Sequence, residues 1–224
     1  MEERAKTAEK HVTISAGKVK LRAILGLPPP EKGAPKGVVV FAHGSGSGRL
    51  SPRNNFVASE LQAGHIATLL ADLLEEPESN DRRKVFNIDL LADRLLVCSN
   101  WLEGREETKG LKRAYFGAST GAGAALQAAA KEPGDIFSIV SRGGRPDLAL
   151  DYLPQVQAPT LLIVGGEDQP VIPLNEAAFQ QLHCTKELLI VPGASHLFEE
   201  PGTLEKVSEL ARAWFLRFFS DLNT

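Results

Sequence analysis

The feature that most constrains this chain is an alternation along nearly its whole length, in which short apolar runs rich in β-branched residues are separated by segments of helical periodicity. The runs "VVVFA", "HIATLLADLL", "RAYFGAST", "IFSIVSRGG", "TLLIVGGED" and "ELLIVPG" read as strands, several of them ending in glycines or other small residues. A strand apolar on both faces belongs to a parallel sheet, because parallel neighbours need a crossover that packs a helix over the sheet. Between the runs, "SPRNNFVASELQAG", "VFNIDLLADRLLVCSNWLEG", "TGAGAALQAAAKEPG", "PLNEAAFQQLH" and a segment from near Thr203 to near Phe219 carry the helical pattern. Ser51 and Pro52 read as an N-cap and first helical residue, and Gly64 as that helix's stop. The pattern predicts an α/β fold with a mostly parallel central sheet of about eight strands, helices on both faces and no large lid domain.

Two segments stand outside the alternation. The opening "HVTISAGKVKLRAILGLPPP" predicts a hairpin turning at Ala16 and Gly17 and ended by Pro28 to Pro30. The polar stretch "EEPESNDRRK" predicts a loop able to reach over a site.

Size and charge limit the partners. The 224 residues suit one domain over 1–224, with 1–11 expected to be a flexible tail. A net charge of -3 and the lack of a Lys/Arg stripe interleaved with aromatics argue against nucleic acid. No stretch approaches the ~18 apolar residues of a membrane span, and the charged start "MEERAKTAEKHVTI" lacks a signal-peptide core, so a cytoplasmic protein without a membrane partner is expected. Cys98 and Cys184 lack metal-ligand spacing, and neither a metal nor a disulfide is expected.

The loop "HGSGSG" after the run Val38 to Ala42 has two possible uses, to cradle a phosphate or to stabilise an oxyanion. A dinucleotide reading draws support from Asp72, placed at the end of the next strand where an acid could meet a ribose. Against it, the helix start at Ser51 and Pro52 falls several residues after Gly44, and no complete G-x-G-x-x-G or G-K-[ST] is present.

A second motif decides the matter. "GASTG", Gly117 to Gly121, fits G-x-S-x-G between a strand and a helix, a sharp turn that needs small flanking residues because strand and helix approach closely. Such a turn would expose the Ser119 hydroxyl and offer the Thr120 N–H to an oxyanion, whereas the isolated pattern could equally be a glycine-rich helix start with Ser119 as N-cap. A serine needs a base, and the base a third group to fix its tautomer. Asp168 in "GGEDQPV" and His196 in "GASHLFEE" follow later strands, so both project from the same carboxyl edge of the sheet as Ser119. Glu167 is the nearest rival acid; Asp147 and Asp151 come a strand too early, and Glu199 lies beyond the histidine. His11, His65 and His183 sit at a hairpin or helix ends, and His43 reads as a structural partner of its loop. With a nucleophile assigned, "HGSGSG" becomes the source of the second oxyanion donor, the Ser45 N–H, with Gly46 as the alternative.

These residues together resemble the α/β-hydrolase superfamily and, within it, the dienelactone hydrolase family, over roughly Val12 to Phe219. "SRGGRPDLA", "APTLLIVGGEDQPV" and "VPGASHLFEEPGTLE" look like the branch sometimes fused to phosphoribosyltransferase domains, an activity not expected here. Dienelactone hydrolase itself carries a cysteine at the elbow, where this chain has Ser119. The resemblance implies a serine hydrolase acting without cofactor on a small-molecule carboxylic ester or related acyl bond (thioester or lactone), as monomer or homodimer. A ligand-binding or receptor-like protein of the same fold is the alternative. Arg142 and Arg145, after the strand "IFSIV", are candidates for holding a carboxylate or phosphate of the substrate, unless they pair locally with Asp147 and Asp151.

Overall fold

The computed structural model describes residues 8–220. Eight strands form one sheet in the order β1-β2-β4-β3-β5-β6-β7-β8. They are β1 (Ala8–Ala16), β2 (Val19–Leu27), β3 (Val38–Ala42), β4 (Ala67–Ala71), β5 (Arg113–Ala118), β6 (Ile136–Arg142), β7 (Thr160–Gly165) and β8 (Lys186–Val191). From β4 through β8 the sheet is parallel, and β1 and β2 add an antiparallel edge. The hairpin turns one residue later than expected, at Gly17 and Lys18, because Ala16 still pairs with Val19 and Gly17 takes φ +64°. Residues 8–11, expected in a flexible tail, belong to strand β1; residues 1–7 of that tail lie outside the described residues.

The helices cover both faces. Helix α1 (Pro52–Ala63) and the C-terminal helix Thr203–Phe219 pack on one side with Val39, Phe41, Phe116 and Val140 of the central strands. The other side takes the helices Ile88–Trp101, Thr120–Lys131 and Ile172–Gln181. The central strands are buried on both faces: all five residues of β3 and of β4 are sequestered, as their continuous apolar runs require. Ser51 caps α1 as predicted, its hydroxyl accepting from the Asn54 N–H.

The segment expected to be a free loop differs. Between β4 and the helix at Ile88 the chain forms two single-turn helices, α2 (Glu76–Ser79) and α3 (Arg82–Val85); the longer helices then follow as α4 (Ile88–Trp101), α5 (Thr120–Lys131), α6 (Ile172–Gln181) and α7 (Thr203–Phe219). A capping box between Glu75 and Glu78 starts α2. Glu78 is buried against Arg94 of α4, whose guanidinium also donates to the Leu73 carbonyl at 2.8 Å. Arg94 holds the Glu78 carboxyl down to about 2 despite the opposing effect of burial, with Lys84 adding a bond at 2.9 Å. Removing one partner would strand the other charge, so this polar stretch is pinned to the body.

Because β3 and β5 to β8 run parallel, the loops that follow them emerge at one edge of the sheet. That edge holds the "HGSGSG" loop, Ser119, Arg142, Asp168 and His196.

Candidate active site

Ser119 sits between β5 and α5 with φ 50° and ψ -122°, a backbone conformation that side-chain-bearing residues avoid. The surroundings over-determine it. Its N–H donates to the Arg142 carbonyl at 3.2 Å, while its own carbonyl accepts from Ala122 and Arg145, both at 3.0 Å. A Cβ on Gly117 would lie 2.5 Å from Ala122 Cα, and one on Gly121 would lie 2.1 Å from the Ala42 carbonyl oxygen. The small residues of "GASTG" are therefore demanded by the close approach of strand, helix and the preceding loop. Ser119 makes no cap bond with its side chain, which leaves the hydroxyl for other work.

The hydroxyl meets His196, whose Nε2 lies 3.2 Å from Ser119 Oγ. The other ring nitrogen, Nδ1, lies 2.6 Å from Asp168 Oδ2. An ionised Asp168 can only accept, so Nδ1 carries the proton and Nε2 presents its lone pair to the serine. Asp168 is buried, whereas neighbouring Glu167 points to solvent and contributes only its N–H, to the Ala194 carbonyl. That bond and the Gly166 N–H to Val191 carbonyl bond, 2.8 Å, tie the Asp168 loop to the His196 loop. A Cβ on Gly165 would strike the Ala194 carbonyl at 2.3 Å, so the two loops pack against each other. Of the five histidines, His196 alone reaches the serine; His11 and His183 are exposed elsewhere.

The "HGSGSG" loop lies against the same serine. A Cβ on Gly44 would be 3.1 Å from Ser119 Cβ. Among the described residues, the N–H groups of Ser45 and Gly46 and the Thr120 N–H at the start of α5 have no backbone acceptor. Three donors at the two walls of one serine match what a developing oxyanion would need. His43 anchors the loop: its Nε2 accepts from the Leu73 N–H at 3.0 Å, so Nδ1 bears the proton and donates to the Gly44 carbonyl at 3.0 Å. Burial pushes its pKa down and keeps the ring neutral, in keeping with a structural role.

Asp72, the acid on which a ribose reading depended, is occupied by the same loop. It accepts from the Arg49 N–H at 2.7 Å and is ion-paired with the Arg49 guanidinium, with Arg22 Nε at 3.7 Å. This pairing is not legible in the sequence, since 23 residues separate the partners. Beside the loop runs a groove of about 480 Å³, lined among others by His43, Ser45, Gly46, Arg49 and Arg53. It meets the site through the loop rather than through Ser119 itself.

The two candidate arginines part company. Arg145 forms a two-pronged pair with Asp147, at 2.8 and 2.7 Å, the local partner the sequence offered. Arg142 is buried and reaches the loop after His196 instead, with Nη1 3.4 Å from the Leu197 carbonyl and the guanidinium carbon 5.9 Å from the Phe198 ring centre. Cys98 and Cys184 are both free thiols, and burial pushes Cys98 up to about 12, which removes it as a nucleophile. No group of metal-ligating side chains was found among the described residues, and no described helix is long and apolar enough to cross a membrane.

A strained serine after a parallel strand, with aspartate and histidine from later loops of the same sheet edge, is the arrangement of the α/β-hydrolase fold. The sequence profile of the Dienelactone hydrolase family matches residues 21–222, and the chain belongs to that family. A crystal structure of a dienelactone hydrolase from Anabaena variabilis is 53% identical, covers 95% of this chain and 98% of its own, and superposes with a TM-score of 0.90. A Xanthomonas campestris protein described as an α/β serine hydrolase without a lid shares the fold at 19% identity, covering 96% of this chain and 97% of its own, with a TM-score of 0.77. A Mycobacterium tuberculosis protein provisionally named a phosphoribosyl transferase is 53% identical over 208 residues, which are 93% of this chain and 46% of that one. The chain thus spans about half the length of that relative. Family and fold together place residues 21–222 in a family named for its hydrolase and in the α/β-hydrolase fold.

Proposed function

We propose that this chain is a serine hydrolase that cleaves a carboxylic ester or a related acyl bond, thioester or lactone, through an acyl-enzyme. The observation that carries the reading is the unbroken hydrogen-bonded chain from Ser119 Oγ through His196 to buried Asp168, mounted on a strained elbow. His196 Nε2 takes the hydroxyl proton as Ser119 Oγ adds to the substrate carbonyl, and Asp168 steadies the imidazolium that forms. The negative charge reaching the carbonyl oxygen is met by the Thr120 N–H and the Ser45 N–H, with Gly46 as the alternative loop donor. His196 then protonates the leaving group, and water activated by the same nitrogen hydrolyses the acyl-serine. The proposed steps draw on these side chains and backbone amides.

The name phosphoribosyl transferase belongs to proteins about twice this length, and we assign the part matched here to the hydrolase, because the dienelactone hydrolase family model matches nearly the same residues of this chain. The Gly-Ser loop supports that assignment, because Asp72 binds Arg49 and α1 begins only at Pro52.

Labelling with a fluorophosphonate, followed by a panel of short and long p-nitrophenyl esters, tests the reading. Labelling at Ser119 and turnover of at least one ester are expected, with Ser119→Ala losing on the order of 10⁴-fold or more. A protein unlabelled at Ser119, or a Ser119→Ala variant that keeps most of its activity, would refute the proposal; ligand binding without turnover would leave the receptor-like alternative.

A further inference from the structure

Two arginines are buried among the described residues, and they differ in one respect. Arg94, 7% exposed, is met by the carboxylate of Glu78 and by the Leu73 carbonyl. Arg142, 6% exposed, has no carboxylate in ion-pair reach among the described residues. Its Nε is buried without a partner, and its single bond, to the Leu197 carbonyl, is long at 3.4 Å. The charged group that it senses is of like sign, Arg53 at the start of α1, and Arg53 lines the groove beside the Ser45–Gly46 loop. Burial, reinforced by Arg53, lowers Arg142 to about 10, which still leaves it charged at neutral pH.

Burying a guanidinium without a counter-charge is expensive, and one long hydrogen bond to a carbonyl together with the Phe198 ring 5.9 Å away does not offset it. A fold keeps such a group where an anion has to be met. Its place fits a substrate. The Arg142 carbonyl holds the Ser119 N–H, Arg142 pairs in register with Ala118 just before the elbow, and its side chain ends at the residue after His196. Arg53 lies near enough to act on Arg142 by charge and is bound through Nη1 to Glu199 at 2.9 Å, with its Nε also buried and unpartnered.

We infer that Arg142, assisted by Arg53, forms an anion subsite beside Ser119 and His196 that takes a carboxylate or phosphate group carried on the substrate. This rests on the hydrolase reading above and narrows its substrate class to acyl compounds bearing a nearby anionic group. Arg145 has no part in it, since Asp147 already satisfies its fork.

Three measurements test it, two of them independent of turnover. First, inorganic phosphate or succinate, titrated at constant ionic strength into the Ser119→Ala protein, should raise its melting temperature saturably, and whichever anion acts at lower concentration identifies the group. Adding Arg142→Met should abolish this response, while Arg142→Lys should retain part of it. Second, without added anion Arg142→Met should melt on the order of several degrees higher than the native chain, because it replaces an uncompensated buried charge with an apolar side chain. Third, an anionic ester should exceed its neutral isostere in kcat/KM by roughly tenfold or more, the worth of a charge-assisted hydrogen bond, and this ratio should fall toward one in Arg142→Met. A native protein indifferent to both anions, an Arg142→Met variant that melts lower, or an unchanged ratio would overturn the inference. Should no ester be turned over while an anion still stabilises through Arg142, the hydrolase reading fails and the subsite stands.

Discussion

The two Gly/Ser segments of this protein, "HGSGSG" and "GASTG", both lie at the ends of buried parallel strands and meet at one serine, yet the middle glycine of the first, Gly46, is there for a different reason from Gly117 and Gly121 of the second. In "GASTG" the reason is space: a Cβ on Gly121 or Gly117 would lie 2.1 or 2.5 Å from backbone atoms. In "HGSGSG" the flanking Gly44 and Gly48 are crowded as well, with a Cβ 3.1 Å from Ser119 Cβ and 2.6 Å from Asp72 Oδ1, but at Gly46 a Cβ would meet nothing within 4 Å and the glycine is needed instead for its φ of +69°. The elbow is held rigid by what touches it, so it can store strain at Ser119; the loop is tethered at its ends, by His43 and by Asp72 through Arg49, and keeps amides free in between. The proposed nucleophile has to be held in place, and the proposed oxyanion donors need N–H groups that no other acceptor has claimed.

The difference can be attacked from either side. The largest effect is expected on the elbow side, where Asp168→Asn should lower kcat on the order of 10⁴-fold by presenting the wrong histidine tautomer, while Glu167→Gln changes it little. Steady-state kinetics on both variants decide the point; a damaging Glu167→Gln would move the acid one residue earlier. Next, Gly121→Ala should destabilise the fold by about 2–3 kcal/mol, read as a lowered urea midpoint, because the obstructing atoms are backbone and cannot step aside. Gly46→Ala should cost only about 1 kcal/mol, the penalty for placing a Cβ at positive φ in open space. Equal destabilisation by the two alanines would erase the distinction between space and dihedral.

The smallest effect concerns the tether. Burial depresses the folded-state pKa of His43 below its ordinary 6.5, so the unfolded chain binds its proton first as pH falls. The contribution of His43 is fully present above pH 6.5 and fades as pH drops through the lower folded value. Urea midpoints measured between pH 7.5 and 5 should therefore decline for the native chain, and more shallowly for His43→Gln. Parallel slopes would show that the loop does not depend on a neutral His43. The Glu78 carboxyl, held at about 2, acts in a separate, more acidic window below its ordinary 4.5 and does not confuse this readout.

Much of this is legible in the sequence. Chain order and the strand-loop-helix context of "GASTG", "GGED" and "GASH" point to Ser119, Asp168 and His196, because parallel strands deliver their following loops to one edge. The polar stretch Glu75–Lys84 reads as a loop, yet it folds into two helical turns that depend on a Glu78–Arg94 pair no local pattern announces. The hairpin turn shifts by one residue because Ala-Gly and Gly-Lys are both acceptable two-residue turns until the strand register chooses.

What the sequence determined by itself was the layered α/β architecture and which three residues meet in one hydrogen-bonded chain, since both follow from residue type and order along the chain. What only the tertiary structure decided was which charges are compensated. Asp72 met Arg49, Arg145 met Asp147, Arg53 met Glu199 from 146 positions away, and Arg142 met no carboxylate among the described residues. Charge pairing is set by distances of a few ångströms in the folded chain and by the local absence of water, and sequence separation carries no record of either.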